Sequence, residues 1–397
     1  MELKKIHISD IGKVVTGKTP RTSIVENYGG NIPFLTPSDD LSYKSVPKTS
    51  KTLTEQGLNE VKNCLLPPHS VCVSCIGSDL GKVVMTLEPT ITNQQFNSII
   101  PNRQFNTDFV YYLMTLVGKE LNYLSKTSTA VPIINKSSFS NYEVEVPDLK
   151  KQEKIASILS SLDDKIELNR RINGNLEQQA QALFKAWFVD FEPFKSGKFV
   201  DSELGKIPAG WKVVELGKVT TQEKEKVGIR SDVKVLSPVT TGKLMLSEEY
   251  FTKQVFSDSI AKYILVKPNS FAYNPARVNI GSMGRNTFMF DGCVSPVYVV
   301  FSCEKEYHYF FDMYRQLPSF KEEVIARSIG GVRQTLKYSD FALIRIAYPP
   351  QNIVLKFNDL YKRLLHAQDM YHTESENLTE IRDLLLPRLM SGEIKMQ

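Results

Sequence analysis

KQEKIASILSSLDDKIELNRRINGNLEQQAQALFKAWFVDFEPF, residues Lys151 to Phe194, decides how the rest of the chain is read. It holds no proline before Pro193 and a single glycine, Gly174, so only one residue weakens a long helix. Ile155, Leu159, Leu162, Ile166, Asn169, Asn173, Leu176, Ala180, Leu183 and Trp187 fall at alternating steps of four and three, the spacing of a coiled-coil seam. Such a seam needs a partner. The last part of the chain supplies one, where Val354, Phe357, Tyr361, Leu364, Gln368, Tyr371, Ser375, Leu378, Arg382, Leu385 and Leu389 keep the same mean spacing. Both seams turn polar at the middle. With the helices antiparallel, Asn169 and Asn173 come opposite Gln368, Tyr371 and Ser375, so the polar layers meet and fix the register at some cost in stability. The competing reading is two unrelated amphipathic helices, each packed on its own domain. Against it, each helix runs beyond the usual globular length and each follows a block of similar size.

Outward from these helices, 397 residues are enough for two or three domains with full cores, and the composition is that of a soluble globular protein. The N-terminal MELKKIHISD has no apolar stretch to act as a signal, and no run approaches a membrane span, which predicts a cytoplasmic chain without a membrane partner. Five cysteines, an odd number without framework spacing, agree with a reducing compartment. Residues 195–350 carry 22 Lys and Arg against 16 Asp and Glu, whereas 151–194 carry 6 against 7 and 351–397 also 6 against 7. A basic block joined to near-neutral helices suggests separate binding and spacing roles.

The chain therefore divides into four parts. Residues 1–150 read as a mixed α/β block, in the α+β sense, with β-rich runs at Val71 to Ile76 and Lys82 to Thr86 and a helix over Thr107 to Leu124. Residues 151–194 are the first long helix, ended by Glu192-Pro193. Residues 195–350 hold a polar linker, Lys195 to Gly210, and a second block with strands near Tyr263 to Val266 and Val294 to Phe301 and a helix from His308 to Ala326. Residues 351–397 are the second long helix. The two halves share this order, which is an internal repeat. ISDIGKVVTG of Ile8 to Gly17 stands beside VVELGKVTTQ of Val213 to Gln222, and the step from Ser138-Phe139 to Pro147 parallels that from Asp340-Phe341 to Pro349. A duplicated block and helix with antiparallel helices predicts a pseudo-twofold molecule.

The order of parts, LFKAWFVDFEP at Leu183 to Pro193, SELGKIPAGW at Ser202 to Trp211 and VTGKTP at Val15 to Pro20 together resemble the specificity (S) subunit of Type I restriction-modification enzymes, over essentially the whole chain. VSCIGSDLGKV with TNQQFN, and YNPARVNIGSMG with SPVYVVF, are also of that family's type. The resemblance implies two target recognition domains, residues 1–150 and the block within 195–350, each reading one half of a bipartite double-stranded DNA site. It implies that the two long helices act as a spacer between them. It further implies a subunit that is not catalytic itself and docks modification (methyltransferase) subunits and, in the full complex, restriction subunits.

Other motifs give way to plainer readings. Gly12 to Thr19, GKVVTGKT, is a formal match to the phosphate-binding P-loop, but Val14, Val15 and Thr16 favour a strand and no apolar-periodic helix follows Pro20. Cys72 and Cys75 have a zinc-knuckle spacing, with Cys64 and His69 nearby, yet strand alternation puts the two cysteines on opposite faces. Asn274-Pro275-Ala276-Arg277 lacks the second proline and the aromatic of an amino-methyltransferase element. No cofactor or metal site is expected.

DNA contact is the positive reading. Lys18, Thr19 and Arg21, then Ser78 and Lys82, then Asn93, Gln94 and Gln95 collect donors in loops of the first block. Arg277, Asn279, Arg285, Arg327, Arg333 and Gln334 do so in the second. Arg and Lys can hold phosphates or guanine edges, and Asn or Gln can bind adenine with two hydrogen bonds. The aromatic cluster of Phe184, Trp187, Phe188, Phe191 and Phe194 exceeds what one seam can bury, so part of it is expected at a subunit interface or a domain junction. The alternative function is a cytosolic coiled-coil scaffold that binds proteins through its two blocks.

Overall fold

The computed structural model describes residues 2–126, 133–251, 254–328 and 335–394. Two helices dominate, Leu149–Phe188 and Gln351–Ser391. The first begins behind Pro147 and stops at Phe188, short of the expected end at Phe194. Phe191 takes a left-handed backbone (φ 54°), and Glu192–Phe194 form a separate 3-10 turn with Pro193 near its start. The chain separates into two compact units, Met1–Asn173 with Asp369–Gln397, and Gly174–Gln368. The division falls inside both long helices, so each unit holds one block and a piece of each helix.

In the first unit the strand Gly12–Thr16 opens a four-stranded antiparallel sheet, in the order Gly12–Thr16, Phe96–Pro101, Val71–Ser74, Val83–Met85. Alternation sorts its residues. Val71, Val73, Val83 and Met85 enter a core with the helix Thr107–Lys126, while Cys72, Val84 and Phe96 enter a second core under Leu35, Leu41 and Leu66. A three-stranded sheet, Lys51–Leu53, Tyr28–Leu35, Ile91–Thr92, carries the parallel pairing of Phe34 with Ile91. Lys4–His7 pairs with Glu143–Val146, which brings the chain to Pro147 and the first long helix. Ile155, Ala156 and Leu159 of that helix and Leu386, Leu389 and Met390 of the second are buried in the block's own core.

The second unit repeats this plan. Thr220–Glu223, Val299–Cys303, Phe271–Tyr273 and Met283–Arg285 form the matching four-stranded sheet. Leu244–Leu246, Lys234–Pro238, Gly292–Val294 and Ile264–Val266 form the matching mixed sheet, again with one parallel pair. Lys212–Glu215 pairs with Arg345–Tyr348 just before the second long helix. Here Val354, Phe357 and Tyr361 of the second helix and Phe184 and Phe188 of the first join the core, with Trp187 partly buried at its edge. These are the counterparts, at one constant sequence offset, of the helix residues buried in the first unit.

Strand register corrects one sequence alignment. Lys4 to His7 pair as Lys212 to Glu215 do, so Ile8 corresponds to Leu216 and Gly12 to Thr220, whereas the shared Gly-Lys dipeptide had set Gly12 against Gly217. Ile8 and Leu216 are both buried, and each donates its backbone N–H to the segment before the closing strand, Tyr142 O and Ile344 O respectively. The expected helix from His308 to Ala326 is two helices, His308–Tyr314 and Pro318–Arg327, since Pro318 can start a helix but not continue one.

The helix pairing is antiparallel in the first unit. Asp163 meets Arg382 at 2.7 Å, and farther along Asn169 Nδ2 donates to Glu374 Oε2 (2.7 Å) and Ser375 Oγ (3.3 Å). Among the seam residues, Ile155, Leu159, Ile166, Phe357, Tyr361 and Leu389 are buried, and Leu162, Leu176, Leu183, Trp187, Leu364, Leu378 and Leu385 half-buried. Phe188 packs edge-on against Phe357 and Phe310 and at a tilt against Trp211, with ring centroids 5.0, 5.1 and 5.9 Å away, and Phe191 and Phe194 close on the same Trp211. The surplus aromatics thus fasten the helix to the second block.

Candidate nucleic-acid interface

Three loops of the first block meet at one edge of its four-stranded sheet. After the strand Gly12–Thr16 the backbone N–H groups of Gly17 and Lys18 donate to Phe96 O (3.1 Å) and Thr92 O (2.9 Å), which presses this loop onto Asn93 to Gln95. The approach demands glycine, because a Cβ on Gly17 would lie 2.1 Å from Asn93 O. Thr19 Oγ1 donates to Gln94 Oε1 at 2.6 Å. Cys75 N donates to Gln95 O at 2.7 Å, which brings the Gly77 to Lys82 turn to the same edge. Lys18, Ser78, Lys82 and Gln94 are exposed there, and Lys18 and Lys82 make no ion pair among the described residues. Asn93 is different. It is buried, and its amide binds Gln95 through both ends, so it shapes the loop.

Those bonds also settle the P-loop match. The segment is a strand, and the Gly17 and Lys18 N–H groups that would face a phosphate are already given to carbonyl oxygens. Cys72 and Cys75 enter different cores, Cys64 is half-buried, and no cluster of metal-ligating side chains occurs among the described residues. Burial pushes the thiols of Cys72 and Cys75 up to about 12 and about 11, the opposite of a metal-binding thiolate.

One of these loops recurs in the second unit. The turn Asn274 to Ser282 matches Ser74 to Lys82, with Asn274 N bonded to Ser282 O as Ser74 N is to Lys82 O. Gly281 and Gly81 both have the positive φ that glycine favours, 97° and 90°. Arg277 is exposed on this turn and lines a cleft of about 150 Å³ with Asn274, Ser295, Tyr298 and Ser237. Asn279 sits half-buried on the same turn.

Arg285 does not belong to this edge. It occupies the register position of Met85 in the core, donates from Nε to Asp312 Oδ2 (2.9 Å) and from Nη1 to Asn269 Oδ1 (2.6 Å), and lies over the Tyr309 ring. Burial alone would raise the Asp312 carboxyl, but Arg315 and Arg285 hold it below the usual carboxylate range. Arg285 is therefore a buried structural cation, and its place in the contact set is withdrawn. Arg327 sits apart, at the end of Pro318–Arg327, paired with Glu323 at 3.0 Å. Arg333 and Gln334 lie outside the described residues.

Register finds one residue that sequence reading missed. Val14 stands opposite Ile99, which pairs with Val71; Gln222 stands opposite Phe301, which pairs with Phe271. Counting on from Val14 to Lys18 and from Gln222 equally far reaches Lys226, an exposed lysine without an ion pair among the described residues, although its backbone bridges to Ile264 whereas Lys18 N bonds Thr92 O. The misaligned Gly-Lys dipeptide had hidden it.

Comparison with known proteins accords with this duplicated plan. Residues 1–178 match the family model for the Type I restriction modification DNA specificity domain. The Type I restriction enzyme MjaIX specificity subunit of Methanocaldococcus jannaschii is 31% identical over 416 aligned residues, covering 100% of this chain and 94% of that protein. The chain belongs to the Type I restriction enzyme specificity subunits. The HindI specificity subunit of Haemophilus influenzae is 36% identical to this specificity subunit over 172 residues, 42% of this chain and 37% of that one. In fold, the specificity subunit is similar to the Type-I restriction-modification S subunit from M. genitalium, with TM-score 0.53, 14% identity and coverage of 98% and 96% of the two chains. Among the described residues of this specificity subunit no helix is long and apolar enough to cross a membrane.

Proposed function

We propose that this chain gives a Type I restriction-modification complex its DNA sequence specificity, with residues 1–150 reading one half of a bipartite site and the block within 195–350 the other. The observation that carries this reading is one sheet topology built twice, with the same turn at Ser74 to Lys82 and Asn274 to Ser282 and with Lys82 and Arg277 exposed on those turns. Two like blocks on one chain suit a site with two halves. Lysines without ion-pair partners among the described residues supply phosphate contacts, and amide and guanidinium groups supply base readout. The chain carries no catalysis of its own in this reading. It works in the cytoplasm, docks the modification and restriction subunits, and its two long helices set the length of unspecified DNA between the half-sites.

The test is a block exchange in a host that carries the chain with its modification subunits, read by mapping methylated sites across the genome. Replacing residues 1–150 with the matching block of a relative is expected to change one half-site and leave the other. A folded, active exchange that alters both half-sites overturns modular reading. Methylation that ignores the identity of this chain altogether overturns the assignment of specificity to it. DNA affinity across a salt series separates the reading from a protein scaffold, because counterion release weakens DNA binding steeply.

A further inference from the structure

Arg21, three residues beyond Lys18, is 71% exposed, yet its side chain is tied down. Its Nε and Nη2 both donate to Glu60 Oε1, at 3.0 and 2.7 Å, and its own backbone N–H donates to Glu60 Oε2 at 3.0 Å. The support beneath this pair is rigid. Glu60 stands on the short helix Glu55–Val61, whose Thr54 cap accepts from Gly57 N and donates to Glu26 O. Thr54 N also donates to the carbonyl of the fully buried Asn27, and Asn27 Nδ2 donates back to Arg21 O at 3.1 Å. Tyr28 OH holds the preceding Pro20 carbonyl at 2.9 Å. An ordinary surface ion pair costs two side chains their freedom for little gain, but here backbone, cap and buried amide have already fixed both partners.

The chemistry of what remains on Arg21 selects a ligand. A guanidinium has five N–H donors in a planar fork. Glu60 takes the side edge, Nε and one Nη2 hydrogen, and leaves the end edge of both Nη1 hydrogens and one on Nη2. Two parallel donors of that kind match the O6 and N7 acceptors of guanine in the major groove. A phosphate suits the site less well, since the Glu60 carboxylate cancels most of the field a phosphate would feel and repels it at short range. The side-chain and backbone hydrogen bonds from Arg21 hold the Glu60 carboxyl down at about 2, so it stays ionised throughout the range in which DNA is bound.

We propose that Arg21 reads a guanine edge in the half-site of the first block, and that Glu60 is its positioning residue, turning the free edge of the fork outward and removing its attraction for phosphate. The proposal rests on the DNA-specificity reading above and adds to it the base that one residue recognises. It explains why a cation at a DNA-facing edge is neutralised by its own protein, when Lys18 beside it is not.

The test uses the full chain assembled with its modification subunits and DNA duplexes in which each base pair of the mapped site is exchanged in turn. For wild type, exchanging one G·C pair of the first half-site is expected to weaken binding about tenfold or more. Arg21→Ala should erase the discrimination at that pair, keep it at every other, and leave the salt slope nearly unchanged. Glu60→Gln, which retains an acceptor for the fork but removes the charge, should raise affinity for unrelated DNA and steepen the salt slope by about one, so that discrimination at that same pair falls. Undiminished discrimination in the second half-site certifies that each variant is folded and assembled. If Arg21→Ala instead weakens binding to all sequences alike and flattens the salt slope by about one, Arg21 is a phosphate contact and the proposal fails. Arg21→Ala with no effect also refutes it. A wild-type complex that discriminates at no base pair removes the underlying DNA reading, a failure distinct from both.

Discussion

Asp163 offers the sharpest test of how the first block is held to its helices. Its carboxylate is 5% exposed, accepts from Tyr112 OH at 2.5 Å on one oxygen, and meets Arg382 Nη1 at 2.7 Å on the other. One residue of the first long helix thereby joins the block's helix Thr107–Lys126 to the second long helix. Truncation to alanine strands a buried hydroxyl and a largely buried guanidinium, and breaking such a pair costs about 3–5 kcal/mol. Arg382 keeps a second carboxylate, Asp383 at 2.9 Å, which pulls the expectation for Asp163→Ala down to about 2–3 kcal/mol. Asp163→Asn, which keeps an acceptor for Tyr112, should cost roughly half as much. Both tryptophans, Trp187 and Trp211, belong to the second unit, so tryptophan emission does not report on this site. Amide hydrogen exchange along Thr107–Lys126 does report on it, and protection there should fall roughly 30- to 150-fold in Asp163→Ala. A change of less than about twofold would show that the network is incidental and that apolar packing alone, through Ile155, Leu159 and Leu386, holds the block.

Phe188→Ala should destabilise the second unit by about 3–5 kcal/mol, because the ring is nearly fully buried among Phe184, Phe310, Phe357 and Trp211; a denaturant titration followed by tryptophan fluorescence reads it directly. Lys18→Ala and Lys226→Ala, each alone, should lower the slope of log affinity against log salt by about one without changing the sequence read, as measured on specific duplexes across a salt series. A matched pair of heptads, one in each long helix beside the contact of Asn169 with Ser375, adds about 10 Å of helix and should lengthen the unspecified DNA of the mapped site by about three base pairs. Half-sites that change while the spacer stays constant would refute that last expectation.

The long helices, the repeat and the three loops of the first block were legible because each is written locally, in heptads, strand alternation and glycine-bounded turns. What escaped depends on contacts distant in sequence. Arg285 looks like any loop arginine until Asp312 and Asn269 are folded around it. Arg21 looks free until a helix that starts at Glu55 brings Glu60 beneath it. The three-residue slip in the repeat arose because a Gly-Lys pair is a weaker marker of register than the strands on either side, whose pairing partners lie far away in sequence, as Val146 does from Lys4 and Cys303 from Thr220. The end of the first helix at Phe188 rather than Phe194 follows from the left-handed Phe191, a strained conformation that the packing of its ring on Trp211 sustains.

The way the two units are assembled from the chain bears on synthesis. The second unit is one uninterrupted segment, Gly174–Gln368, and every residue it needs has been joined to the chain before the end of the second helix is made. The first unit has to wait. Its block and the start of the first helix emerge early, but the core they build stays open where Leu386, Leu389 and Met390 belong. The half of the protein translated first is thus the half that closes last. A nonsense codon a few residues before Leu386 would spare the block nearer to it in sequence and unmake the one farther from it.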